Sequence, residues 1–80
     1  MGLTILLVDD DQILIEKAKN SLNWDNLGIG MVFTANNIHE AKGILKVYKV
    51  DILLCDVDMP MGSGLELVEW IREEGMEIKC

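Results

Sequence analysis

Histidine and proline each occur once in the 80 residues, cysteine twice, and the aromatic residues are two Trp, one Tyr and one Phe. One His and two widely separated thiols, Cys55 and Cys80, with no C-x-x-C spacing, assemble neither a zinc set nor a disulfide framework. A reducing, cytoplasmic setting is therefore expected. Basic residues are scarce too: seven Lys and Arg stand against fourteen Asp and Glu, a formal net charge of −7. That balance repels phosphate backbones and anionic lipid head groups, so direct contact with nucleic acid or a membrane is not expected. The earliest apolar run, Leu3 to Val8, is too short to span a bilayer; it ends in three aspartates and lacks the basic residues that precede a secretory signal. Met1-Gly2 opens like a myristoylation motif, but Leu6 stands where that motif needs Ser or Thr. Repeats, low-complexity tracts and Pro/Ser-rich linkers are missing, and residues 1–80 parse as one continuous domain.

Apolar residues make up 50% of the chain and charged residues 26%, a mixture that folds around a core and is neither a disordered tail nor a multidomain enzyme. A soluble domain of this size buries roughly 60% of its unfolded surface and sits at marginal stability. LTILLVDD is a continuous apolar run closed by acids, the pattern of a strand buried on both faces of a parallel sheet. From Asp11 to about Asn23 the period turns helical, with Leu14, Ala18 and Leu22 in line and Ile15 beside them. Trp24 to Gly30 reads as a loop and Met31 to Ala35 as a second strand. Asn36 or Asn37 then caps a helix that aligns Ile38, Ala41, Leu45 and Tyr48.

Asp51 to Asp56 repeats the design of the first strand, and Val57 to Ser63, which contains Pro60, reads as a loop. A third helix starts at Gly64, turns Leu65, Val68 and Ile71 inward with Leu67 alongside, and stops at Gly75. Met76 to Cys80 would begin a fourth strand. Strands alternating with helices through short loops imply right-handed crossovers and a parallel sheet covered on both faces. Sites in such folds lie at the carboxyl ends of the strands, where both acid clusters fall.

Carboxylates of Asp9, Asp10 and Asp56 meeting in one pocket would repel one another, and a hard divalent cation offsets that repulsion. Mg²⁺ suits a site of few carboxylates with one open side. A carboxylate can also attack phosphorus and form an aspartyl phosphate, and Asp56 is the candidate nucleophile. The plainer alternative is that acids after buried strands begin loops, with Asp10 or Asp11 capping the first helix.

These motifs resemble a response-regulator receiver domain: ILLVDDD closing the first strand, ANNIHEA opening the second helix, and DILLCDVDMPMGSGLEL around the third strand. The resemblance implies a flavodoxin-like doubly wound α/β fold with strand order 2-1-3. It also implies that Asp56 accepts a phosphoryl group from a sensor histidine kinase. Asp10 and Asp56 would hold Mg²⁺ through carboxylates, Asp9 through water and Asp58 through its backbone carbonyl. Met59 and Pro60 would shape the loop over the ion, and Gly64 would allow the tight start of the third helix. The Trp24-Asp-Asn-Leu-Gly segment is similar to receivers of regulators with an AraC-type DNA-binding domain, which implies a transcriptional output domain in the intact protein.

Two departures stand out. Gly62 replaces a larger residue common in such domains, which makes its loop more mobile. Receivers also have five strands and five helices in roughly 120 residues, the ordinary size of one domain, so this chain is expected to lack the C-terminal strands and helices, the switch Ser/Thr and the Lys. An incomplete site and impaired phosphotransfer are expected. The third strand would then present an uncovered apolar edge, through which the chain would self-associate.

The remaining residues carry blander readings. His39, with no partner of its kind, is a solvated polar position. Met59 and Met61 pack a loop, Cys55 serves as a small hydrophobe, and Trp24 and Trp70 pack at helix edges. Two rival functions are a haloacid-dehalogenase-like phosphatase using Asp56 and Asp58, and a scaffold without chemistry. The phosphatase motif normally follows the first strand, whereas Asp56-Val-Asp58 follows the third.

Overall fold

The computed structural model describes residues 2–55, 58–59 and 62–79, with the side chains of 2–55 and 65–79. Strand β1 (Leu3–Val8) is apolar from Ile5 to Val8, the part buried on both faces. Leu6 and Val8 enter one core, and Ile5 and Leu7 enter another on the opposite face, as the two-residue period of a strand requires. β1 lies between β2 (Ile29–Ala35) and β3 (Ile52–Cys55), parallel to both, in the order β2-β1-β3. This is the expected 2-1-3 arrangement.

Helix α1 (Gln12–Ser21) lies on the Ile5 side, where Ala18 packs against the smaller cluster. Helices α2 (Ile38–Val47) and α3 (Gly64–Glu73) cover the Leu6 side. The larger core joins Leu6, Val8 and Leu53 of the sheet to Ile38, Ala41 and Leu45 of α2 and to Leu67 and Ile71 of α3. Asn37 caps α2: its side-chain oxygen accepts from the Glu40 N–H at 2.8 Å, while Glu40 Oε1 accepts from the Asn36 N–H at 2.9 Å, a reciprocal pairing that satisfies two free donors. Tyr48 ends the helix as its C-cap and stacks on Phe33 of β2, ring centroids 4.6 Å apart.

Helix α3 stops as expected. Gly75 takes φ 70°, and the N–H groups of Gly75 and Met76 donate to the carbonyls of Arg72 and Ile71, the two bonds of a Schellman cap.

Several expectations require correction. In α1, Ile15 is buried and Ala18 half-buried, but Leu14 (53% exposed) and the C-cap residue Leu22 face solvent, so the stripe expected to enter the core is mostly outside. In α3 Leu67 and Ile71 are buried and Val68 is half-buried, as expected, while Leu65, also expected to turn inward, is exposed. The Trp24–Gly30 segment is ordered: Asp25–Leu27 forms one turn of 3-10 helix, Gly28 closes it at φ 79°, and β2 begins at Ile29 instead of Met31.

Part of the Val57 to Ser63 segment, expected as a loop, forms strands where it is described. Within it β4 (Asp58–Met59) pairs antiparallel with β5 (Gly62–Ser63). The end of the chain, expected to start a fourth strand, makes a single parallel bridge from Lys79 to Ile52. The Lys79 N–H donates to the Asp51 carbonyl at 3.0 Å and the Leu53 N–H donates to the Lys79 carbonyl at 2.8 Å. The beginning of β3 is therefore covered, contrary to the expectation of an open edge.

Both tryptophans pack as expected. Trp24 lies against the smaller core and donates its indole N–H to the Lys19 carbonyl at 2.9 Å. Trp70 lies against the larger core, with the Lys42 ammonium 5.4 Å from its ring centroid. His39 is exposed, and Cys55 is half-buried against the larger core. Among the described residues, no helix is long and apolar enough to cross a membrane.

Candidate functional site

The carboxyl ends of β1 and β3 stand side by side because Val8 is in register with Cys55. On its other flank Val8 is in register with Ala35, and the Asp9 N–H extends that ladder by donating to the Ala35 carbonyl at 3.1 Å. The main chain at Asp9 is thus fixed by the best-buried strand of the sheet. Asp9 is half-buried, and the next two residues turn out into solvent.

Three consecutive acids take three different positions. Asp11 is the N-cap of α1: its Oδ1 accepts from the N–H groups of Ile13 and Leu14, both at 3.1 Å, and its carbonyl accepts from the Ile15 N–H. This settles which residue caps the helix, since both Asp10 and Asp11 were open candidates. The Asp11 N–H donates in turn to Asp9 Oδ1 at 3.0 Å, folding the first acid back over the turn. Asp10, between them, is exposed.

Asp56 lies outside the described residues, as do Val57, Pro60 and Met61. Asp58 and Met59 are described as the backbone of β4, with Asp58 in register with Ser63, and Gly64 is the first residue of α3. Among the described residues, no group of three His, Cys, Asp or Glu side chains is placed to hold a metal ion. The described acids at the rim, Asp9 and Asp10, offer carboxylate oxygens, which suit a hard, partly hydrated divalent cation once a further ligand joins them.

Two features of this region escaped the sequence reading. Beside Asp9, a groove of about 250 Å³ runs between α1 and the sheet, lined by Leu7, Leu14, Ile15, Ala18 and Leu54. Ile13-Leu14-Ile15 was the available signal: three adjacent apolar residues cannot all face one side of a helix. At the other end of the sheet, Asp51 Oδ2 accepts from the Thr4 N–H at 2.8 Å while the Asp51 N–H donates to the Thr4 carbonyl. An acid at a strand start carries no periodic signal, and this one ties β3 to β1.

A parallel 2-1-3 sheet with helices on both faces and acids following its central strand defines the flavodoxin-like doubly wound class, whose sites open at the carboxyl rim. Residues 5–80 match the family model of the response regulator receiver domain, and the chain belongs to that family, the receiver domains of two-component response regulators. It is similar to the uncharacterized transcriptional regulatory protein YesN of Bacillus subtilis, with 35% identity over 81% of this chain and 18% of that protein. It is likewise similar to the Regulator of RpoS of Escherichia coli K12, with 32% identity over 94% of this chain and 21% of that protein. The chain thus spans about a fifth of the length of these two relatives. Its fold matches that of the MaeR response regulator bound to beryllium trifluoride, with a TM-score of 0.83, 20% identity, and coverage of 96% of this chain and 62% of that one.

Proposed function

We propose that this receiver accepts a phosphoryl group onto Asp56 from the phosphohistidine of a sensor histidine kinase. A carboxylate oxygen of Asp56 attacks phosphorus in line, the P–N bond breaks, and the imidazole leaves with its electron pair and takes up a proton, giving an aspartyl phosphate. Asp10 and Asp56 would hold Mg²⁺ through carboxylates, Asp9 through water and Asp58 through its backbone carbonyl. When bound, the ion offsets charge on the attacking and transferred oxygens.

The observation that carries this reading is the register of Val8 with Cys55, because it sets the acids that follow β1 beside the strand that leads to Asp56. The binding of beryllium trifluoride by the MaeR response regulator, a relative in fold, is in keeping with it. Membership in the receiver family, with Asp56-Val-Asp58 following the third strand, favours a phosphoacceptor over a phosphatase that turns over substrate. Residues 1–80 form the phosphoacceptor part of a longer regulator acting in the cytoplasm. The relative named as a transcriptional regulatory protein, together with the Trp24–Gly28 segment, supports a DNA-binding output domain of AraC type. Exposed apolar side chains on the α1 side support self-association of the 80-residue chain.

The test is intact-mass spectrometry after incubation with phosphoramidate and Mg²⁺. The chain should gain one hydroxylamine-labile phosphoryl group, slowly because the site is expected to be incomplete, and Asp56→Asn should gain none. Labelling that persists in the Asn variant, or no labelling of the unaltered chain, would overturn the assignment.

A further inference from the structure

The hydrogen bonds of the three adjacent acids divide the labour among them. Among the described residues, the Asp11 side chain bonds to the backbone of its own helix, accepting from Ile13 and Leu14 at 3.1 Å, and through its N–H the same residue holds Asp9 Oδ1 at 3.0 Å. On the other side Asp9 is fixed to β2 through the Ala35 carbonyl. The turn carrying Asp10 is therefore clamped at both ends, by the sheet at residue 9 and by the helix cap at residue 11.

From this we infer that Asp11 is a positioning residue for the cation site: it binds no metal itself, and its cap sets the direction of the Asp9 carboxylate and of the turn that presents Asp10. The inference rests on the proposed Mg²⁺ site and assigns to it a residue outside its ligand set. The contribution lies in the acceptor oxygen and not in the negative charge. At an exposed position in physiological salt the loss of one nearby charge changes cation affinity by less than about threefold, since screening is strong. Loss of a group that orients a ligand costs about tenfold or more.

Substitution separates the two. Asp11→Asn keeps an oxygen of the same reach and removes the charge. Asp11→Gly removes the oxygen while remaining an acceptable N-cap, so α1 stays folded where Asp11→Ala could unravel it. Mg²⁺ affinity is measured by isothermal titration calorimetry on the full 80-residue chain, with far-UV circular dichroism to confirm equal helix content. The Asp9 side-chain carboxyl ¹³C shift, followed by NMR, reports the contact in a residue that neither variant alters.

Asp11→Asn should bind Mg²⁺ within about threefold of the unaltered chain and keep the Asp9 carboxyl shift. Asp11→Gly should bind about tenfold more weakly and lose the shift. Equal affinity in the Gly variant, or an equal loss in the Asn variant, would overturn the positioning role. Failure of the unaltered chain to bind Mg²⁺ would instead overturn the metal site, and the inference with it.

Discussion

Asp51 shows how one side chain can secure a junction that periodicity does not reveal. Its carboxylate and its N–H both engage Thr4, and its carbonyl accepts from Lys79, so β1, β3 and the last described residues meet at one position. Truncation leaves the half-buried Thr4 N–H without this acceptor, at a cost of about 1–3 kcal/mol for a lost charge-assisted bond. Asp51→Ala should lower the urea midpoint accordingly, and Asp51→Asn, which keeps an acceptor oxygen, should recover much of the loss. A midpoint unchanged in the Ala variant would show that water satisfies the Thr4 amide equally well. The three acids after β1 teach a related point: their identity was evident from the sequence, but their division into a folded-back, an exposed and a capping residue depends on hydrogen bonds that no spacing rule encodes.

Elements were legible where local chemistry and packing agree. Helix α2 has a capping Asn and an apolar face through Ile38, Ala41 and Leu45, found as expected because each demands the same conformation, whereas Tyr48, expected on that face, is the C-cap and is half exposed. Asn37→Ala should cost about 1 kcal/mol, read as a shift in thermal midpoint, with most of the loss restored by Asn37→Ser. The stripe on α1 was misread because Leu14 and Leu22 have helical spacing without a surface to receive them; burial is decided by the neighbours, and sequence period reports only which residues share a side. On α3 the inward face through Leu67, Val68 and Ile71 is found as expected, and Leu65 departs for a similar reason: in the first turn it has the spacing of the stripe but faces solvent. In the segment before β2, turn residues foretold a loop, whereas Gly28 in the left-handed region closes a compact 3-10 turn that starts the strand early.

At the scale of the molecule, the two faces of the sheet are unequally covered. The α2 and α3 side carries the larger core, while on the α1 side Leu54 is 52% exposed and Leu14 53% exposed around the groove. Apolar area left in water favours association, by about 25 cal/mol for each Å² removed. Sedimentation velocity over a concentration series should therefore show reversible self-association that weakens in Leu54→Lys. That substitution is tolerated because a Lys stem can lie along the groove with its ammonium in water. Concentration-independent sedimentation of the unaltered chain would refute the expectation.

The Asp9–Asp11 turn joins the strand buried most completely to the helix held least firmly, since α1 contributes Ile15 as its one fully buried residue among those described. Such a helix opens by itself at a fraction of the free energy needed to unfold the sheet. Amide hydrogen exchange should be faster along Gln12–Ser21 than along Leu3–Val8, and uniform protection across both segments would contradict this. Whenever α1 lifts away, the acceptors on Asp11 lose their donors while the rim itself remains attached to the sheet. Readiness of the acidic rim is thus governed by a local order–disorder balance, and any ion or partner that favours the ordered form must supply the free energy of winding that helix.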